Sequence, residues 1–145
     1  MSPQVEKITR DEQLRAAYKI REKVFVIEQK VNPRDEYDEY EKESRHFIAY
    51  LNGEAVGTAR WRFTPKGVKL ERFAVLKSAR GKGVGQVLVD AVLKDIHATP
   101  DTASKTKYLH AQLTAVPLYA KFGFEKVGEV FEECAILHFK MQLAK

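Results

Sequence analysis

The chain predicts an α+β fold in which a mixed, mostly antiparallel sheet is flanked by helices. Three observations predict it. Strand-like segments follow one another through tight turns between Arg45 and Val75, as in an antiparallel meander. A strand, a glycine-rich turn, an amphipathic helix and another strand then run from Val68 to Leu113, a crossover that returns parallel to its start. A short helix and two closing strands complete the chain, and the single crossover opens a gap between neighbouring strands.

Gln4–Ile8 reads as a short first strand. Thr9 or Asp11 is placed to cap a helix over Asp11–Val26, because short oxygen-bearing side chains accept the free N–H groups of a first turn. Leu14, Ala17, Tyr18, Val24 and Phe25 share its apolar stripe, with Arg21 the exception. From Ile27 the pattern dissolves, and Asn32-Pro33 followed by acidic residues argues for a loop. That loop is a candidate lid: Asp35, Glu36, Asp38, Glu39 and Glu41 either attract a cationic amine or form a solvated charged surface.

Arg45–Leu51 is the next strand, and Asn52-Gly53 is a strong hairpin signal. Ala55–Thr64 returns, alternating Arg60 and Arg62 with Trp61 and Phe63, so one face is apolar; Gly57 is tolerable there as a bulge. Pro65-Lys66-Gly67 turns the chain into Val68–Val75. Val84, Val87, Leu88, Ala91, Val92 and Ile96 then mark one face of a helix ending near Ala98. A polar loop over Thr99–Ser104 leads to the strand Lys107–Leu113. Ala115–Phe122 is a short helix, with Pro117 tolerated in its first turn and Gly123 placed to end it. Phe124–Val127 and Cys134–Leu143 supply the closing strands.

At 145 residues, 44% hydrophobic and 31% charged, the chain suits one globular domain spanning residues 1–145. No apolar run approaches a membrane span, and no signal pattern opens the chain, so a cytoplasmic protein without membrane partners is expected. One cysteine, Cys134, excludes an internal disulfide framework, and four scattered histidines show no metal spacing. The net charge of +5 favours polyanions, but no basic run interleaves with aromatics, so nucleic acid is not expected.

The stretch that carries chemistry is Arg80-Gly81-Lys82-Gly83-Val84-Gly85-Gln86. Its glycines let the backbone turn sharply, and main-chain N–H groups at a helix N-terminus form a site for phosphate oxygens. Arg80 and Lys82 add positive charge there. The nucleotide-triphosphatase pattern and the dinucleotide fingerprint both require other glycine spacings. What remains, Arg80-x-x-Gly83-x-Gly85, resembles the pyrophosphate-binding motif of the GNAT superfamily of acetyltransferases. Ala115-x-x-x-Tyr119-x-x-x-Gly123-Phe124 falls where that family carries its second signature. Ile20-Arg21, Val24-Phe25-Val26, Glu28-Gln29 and the closing Glu132–Met141 are similar to its ElaA-like branch.

The resemblance covers nearly the whole chain and implies a GNAT (acyl-CoA N-acyltransferase) fold with acetyl-coenzyme A as cofactor. It implies that Phe73, Ala74 and Val75 pair with the pantetheine arm and that Arg80, Gly81, Lys82, Gly83, Val84, Gly85 and Gln86 hold the pyrophosphate. It implies that Tyr119 protonates the departing sulfur. Many members carry Asn where this chain has Gln112, which keeps the amide but moves it by a methylene. Glu71 is the candidate base, although the family allows for none. Because strand side chains alternate, Arg72 is expected on the face opposite Glu71. Glu28, Arg72 and His110 are candidates for contacting the acceptor, a small-molecule or peptide amine. Direct attack is expected, since Cys134 sits too late in the chain for a thioester relay. The protein is expected to be a monomer or homodimer, and the alternative function is a non-catalytic acyl-coenzyme A sensor.

Overall fold

The computed structural model describes residues 2–144; Met1 and Lys145 lie outside the described residues. One sheet is built from β1 (Gln4–Lys7), β2 (Arg45–Leu51), β3 (Glu54–Thr64), β4 (Gly67–Val75), β5 (Lys107–Gln112), β6 (Phe124–Glu133) and β7 (Ile136–Leu143). Their spatial order is β1-β2-β3-β4-β5-β7-β6. Only β4 and β5 pair in parallel, through the crossover helix α3 (Val84–His97). The remaining pairs are antiparallel, giving the mixed sheet that the meander and crossover predict.

Register decides which side chains meet. Trp61 lies opposite Leu70, Leu70 opposite Leu109, and Leu109 opposite Met141, so one apolar row crosses four strands on one face. Val84, Leu88, Val92 and Ile96 of α3 bury that row, which forms the main core. One residue along, Arg62, Lys69, Tyr108 and Gln142 form a polar row on the opposite face.

Helix α1 (Asp11–Arg21) packs on that opposite face near β2 and β3. Neither Thr9 nor Asp11 caps it: the N-cap is Arg10, and Gln13 Oε1 accepts the N–H groups of Thr9 and Arg10 at 3.0 and 3.2 Å. The helical path continues beyond Val26 as a wider π-turn over Glu22–Glu28, with the Gln29 N–H donating to the Val24 carbonyl at 3.1 Å. Val24, Val26 and Ile27 are β-branched and crowd an α-helix, which favours the looser winding. Ile20, Val24 and Phe25 close a second, smaller core with Val31 and Ala74.

The expected exception on the α1 stripe, Arg21, is 1% exposed. Its guanidinium donates to Glu36 Oε1 at 2.6 Å and to both oxygens of Glu41 at 2.9 and 2.7 Å. Arg60, fully buried, donates to Asp38 at 3.0 and 2.7 Å and to Glu41 at 2.7 Å. Helix α2 (Pro33–Glu36) and the loop after it are thus strapped to the sheet by two buried arginines. This corrects the reading of the acidic stretch as a lid attracting amines: Glu36, Asp38 and Glu41 are already neutralised within the fold.

Two closing elements also differ from expectation. β6 runs on to Glu133, with a register break around Gly128 (φ 79°). The turn into β7 is Cys134-Ala135, both left-handed at φ 51° and 63°, a geometry normally signalled by Asn or Gly. With that signal missing, the sequence hides the hairpin.

Candidate active site

The parallel β4–β5 ladder covers only Val68–Leu70 against Lys107–Leu109. Beyond Leu70 and Leu109 the strands part, and Glu71–Val75, His110 and Gln112 face a cleft of about 870 Å³. The start of α3 and helix α4 (Val116–Ala120) also line it.

The glycine-rich turn stands at one end. Gly83 is the N-cap of α3 at φ 82°, a left-handed conformation that a side chain would strain. The first main-chain bond of the helix is Val87 N–H to the Gly83 carbonyl at 3.2 Å. The amides from Gly81 to Gln86 therefore have no main-chain acceptor among the described residues, and the positive end of the α3 dipole lies behind them. Arg80 Nε donates to the Val75 carbonyl at 3.1 Å, tying the turn to the end of β4. Its two terminal nitrogens grip Glu28 at 2.6 and 2.7 Å. Glu28, expected on the acceptor, is instead the partner of Arg80, whose hydrogen bonds hold its carboxyl below the usual range.

Tyr119, on α4, lines the same cleft. Its ring meets Phe73 and Phe124 edge-to-face at 5.6 and 6.2 Å between centroids. Burial pushes its phenol well above the ordinary 10, so the proton stays on Oη at neutral pH. Gln112 also lines the cleft and donates to Gln29 Oε1 at 2.8 Å. The pairing of Gln29 with Gln112 was not visible in the sequence, since only the π-turn carries Gln29 to β5.

At the other end, Glu71 and Arg72 both line the cleft, against the strict alternation expected for them. The β3–β4 register breaks between Thr58 and Arg60, and Arg72 is left-handed at φ 60°, so a bulge sends two successive side chains the same way. Neither is free. Arg72 bonds the carbonyls of Asp35 and Glu36 and the carboxylate of Asp38 at 3.2–3.3 Å. Glu71 Oε2 accepts from Arg60 Nε and Arg62 Nε at 2.8 Å each, and Lys69 Nζ lies 3.3 Å from Oε1. Burial by itself would raise the Glu71 carboxyl, but the Arg60 guanidinium with Lys69 and Arg62 outweighs it and holds the group at about 2. A carboxylate so held is a weak base, which counts against the catalytic role expected for Glu71.

His110 faces the cleft with a partner that the sequence did not suggest: its Nδ1 lies 3.4 Å from Glu133 Oε1. His138 flanks the same carboxylate, with Nε2 at 3.8 Å from Oε2, and its Nδ1–H donates to the Ile136 carbonyl at 2.7 Å. The long β6 and its tight turn bring Glu133 there, so the same missing turn signal concealed this residue.

A cleft with unpaired helix amides at one end and a protonated phenol on its wall suits a phosphate-bearing acyl carrier. Residues 8–145 match the family model described as an Acetyltransferase (GNAT) domain. The chain belongs to the GNAT acetyltransferases. It is 42% identical over 132 residues to the uncharacterized N-acetyltransferase YjcF of Bacillus subtilis (strain 168), covering 90% of this chain and 92% of that one. It is 36% identical over 134 residues to the protein ElaA of Escherichia coli (strain K12), covering 89% and 86%. The crystal structure of Escherichia coli ElaA matches with a TM-score of 0.83 at 31% identity, covering 98% and 99%. A GNAT family acetyltransferase from Elizabethkingia anophelis, solved with acetyl-CoA bound, shares the fold at a TM-score of 0.68 and 16% identity, covering 97% and 95%. GNAT enzymes use acetyl-coenzyme A, so this chain is an acyltransferase, and the sensor alternative is not favoured. Among the described residues no helix is long and apolar enough to cross a membrane.

Proposed function

We propose that this GNAT enzyme acetylates a primary amine of a small molecule or peptide, and that the amine attacks directly while both reactants are bound. The coenzyme supplies an acetyl thioester when it is bound. The amides of Gly81–Gln86, with Arg80 and Lys82, would hold its pyrophosphate. The main chain of Phe73, Ala74 and Val75 and the side chain of Gln112 would align its arm, because that stretch of β4 has no partner on the β5 side.

The observation that carries the reading is Tyr119, a buried phenol that keeps its proton on the wall of the cleft into which the helix amides open. Its Oη is suited to give that proton to sulfur. A relay through Cys134 is disfavoured, since burial and the nearby Asp35 raise its thiol and leave less thiolate to attack. With Glu71 held near 2, the proton of the acceptor goes to His110. When its Nδ1–H donates to Glu133, Nε2 keeps a lone pair.

Tyr119→Phe tests the reading. Free-thiol release with an accepting amine should fall about 100-fold, the lower range for general acid catalysis. Calorimetric affinity for coenzyme A should stay within about threefold, since the ring and its packing remain. Wild-type thiol release by the variant would refute the role of Tyr119, and parallel initial-velocity lines would refute direct attack.

A further inference from the structure

Beside the main cleft lies a second cavity of about 270 Å³. Arg62, Lys66, Lys69 and Lys140 line it together with the rings of Tyr40 and Tyr108, and no Asp or Glu does. Its placement follows from the sheet. Arg62, Lys69 and Tyr108 belong to the polar row on the face opposite α3, and Lys140 lies across from His110. The loop after α2 reaches this face through Asp38, which pairs with Arg60, and through Tyr40, whose ring lies under Arg62, and the cavity lies beside them.

The cavity is not isolated: Arg62, Lys69 and His110 line both it and the main cleft. Arg62 and Lys69 share one carboxylate, Glu71, at 2.8 and 3.3 Å. That carboxylate is also neutralised by Arg60. Lys66 and Lys140 have no carboxylate partner among the described residues, and the Lys140 ammonium rests 5.2 Å from the Tyr108 ring centroid. Arg62 lies 3.8 Å over the Tyr40 ring, which fixes its plane at the cavity wall. At the floor, the hydroxyls of Thr64 and Tyr108 share a hydrogen bond of 2.6 Å. Converging cations that outnumber their counter-charge favour an anion, whose binding offsets their mutual repulsion.

The groove therefore has polarity. Near its junction with the main cleft stands the Glu133 carboxylate beside His110, which suits an ammonium. Beyond the junction stand the lysines, which suit a carboxylate or phosphate. The structure assigns the acceptor a chemical class: an amine that carries an anionic group, with the amine at His110–Glu133 and the anion among Arg62, Lys66, Lys69 and Lys140. This inference rests on the amine-acceptor reading and adds the second charge.

The test uses matched probes, O-phosphoethanolamine against ethanolamine and β-alanine against propylamine. Each is titrated calorimetrically into the full-length protein saturated with coenzyme A, so binding is read without turnover. Each probe with an anionic group should bind at least about tenfold more tightly than its match without one, as expected for one charge-assisted contact. Lys66→Gln combined with Lys140→Gln should remove most of that ratio, and each single variant part of it. The circular dichroism of all three variants reports folding. Thiol release with the same probes is measured in parallel. Equal binding of probes with and without the anionic group, or an unchanged ratio in the folded variants, overturns the inference. Selective binding without thiol release from any probe upholds the anion site and overturns the amine-acceptor reading instead.

Discussion

Gly57→Ala asks whether the seat of α3, the helix proposed to hold the pyrophosphate, is set by one missing methyl. Gly57 lies on β3 between Ala49 and Val75. A Cβ there would sit 2.8 Å from Val84 Cγ1, 3.1 Å from Leu88 Cδ1 and 3.2 Å from the Ala74 carbonyl oxygen. Val84 is the first residue of α3 and is buried, so the methyl pushes on the turn that presents the free amides. Overpacking of this kind costs about 1–3 kcal/mol, against which the stiffer unfolded chain returns about 0.4–1 kcal/mol. The net loss is about 1–2 kcal/mol, a fall in Tm of roughly 3–8 °C for a chain of this size. A shift of the amides should also weaken coenzyme A binding about tenfold, equivalent to about 1.4 kcal/mol. Differential scanning calorimetry and coenzyme titration read the two effects. Val84→Ala removes the atom in closest conflict, so the double variant should recover part of both losses, with a coupling of about 0.5–3 kcal/mol. A Gly57→Ala protein that melts and binds as wild type would show that α3 is seated by other contacts.

Two further outcomes follow from the acceptor end. The Glu71 carboxyl titrates at about 2 in the folded chain against an ordinary 4.5, so its stabilisation is full above 4.5 and is lost as pH falls from there to about 2. The shift corresponds to about 3 kcal/mol. Urea midpoints across that window should fall steeply for wild type and less for Glu71→Gln; identical acid limbs would refute the assignment. His110→Gln should lower kcat about 100-fold while coenzyme affinity holds. The groups facing His110 are Glu133 on β6, Lys140 and His138 on β7, and Lys69 on β4. A His110→Gln protein that turns over at the wild-type rate would refute that role.

The legible parts of the chain were those written in short range. The Asn52-Gly53 turn and the apolar period of α3 each express a local backbone or packing requirement, and each stands where expected, whereas Gly123, left-handed as expected, lies beyond Lys121, which caps α4. The order of these elements was enough to predict the single parallel junction, because a strand–helix–strand crossover has one favoured hand. Illegible parts depended on partners distant in sequence. Nothing near Arg21 announces Glu36 and Glu41, and nothing near Glu71 announces that Arg60 and Arg62 share its oxygens. Strict alternation separated Glu71 from Arg72, and a bulge with Arg72 left-handed reunited them.

By itself the sequence determined the architecture and the glycine-rich turn whose main-chain amides open into the cleft, because the turn and the amphipathic helix after it are both written in local residues. Tertiary structure alone decided the acceptor end. There the charged side chains either pair within the fold, as Arg60 and Glu71 do, or line the second cavity without a carboxylate partner among the described residues, as Lys140 does, according to which opposite charge the folded sheet sets beside them.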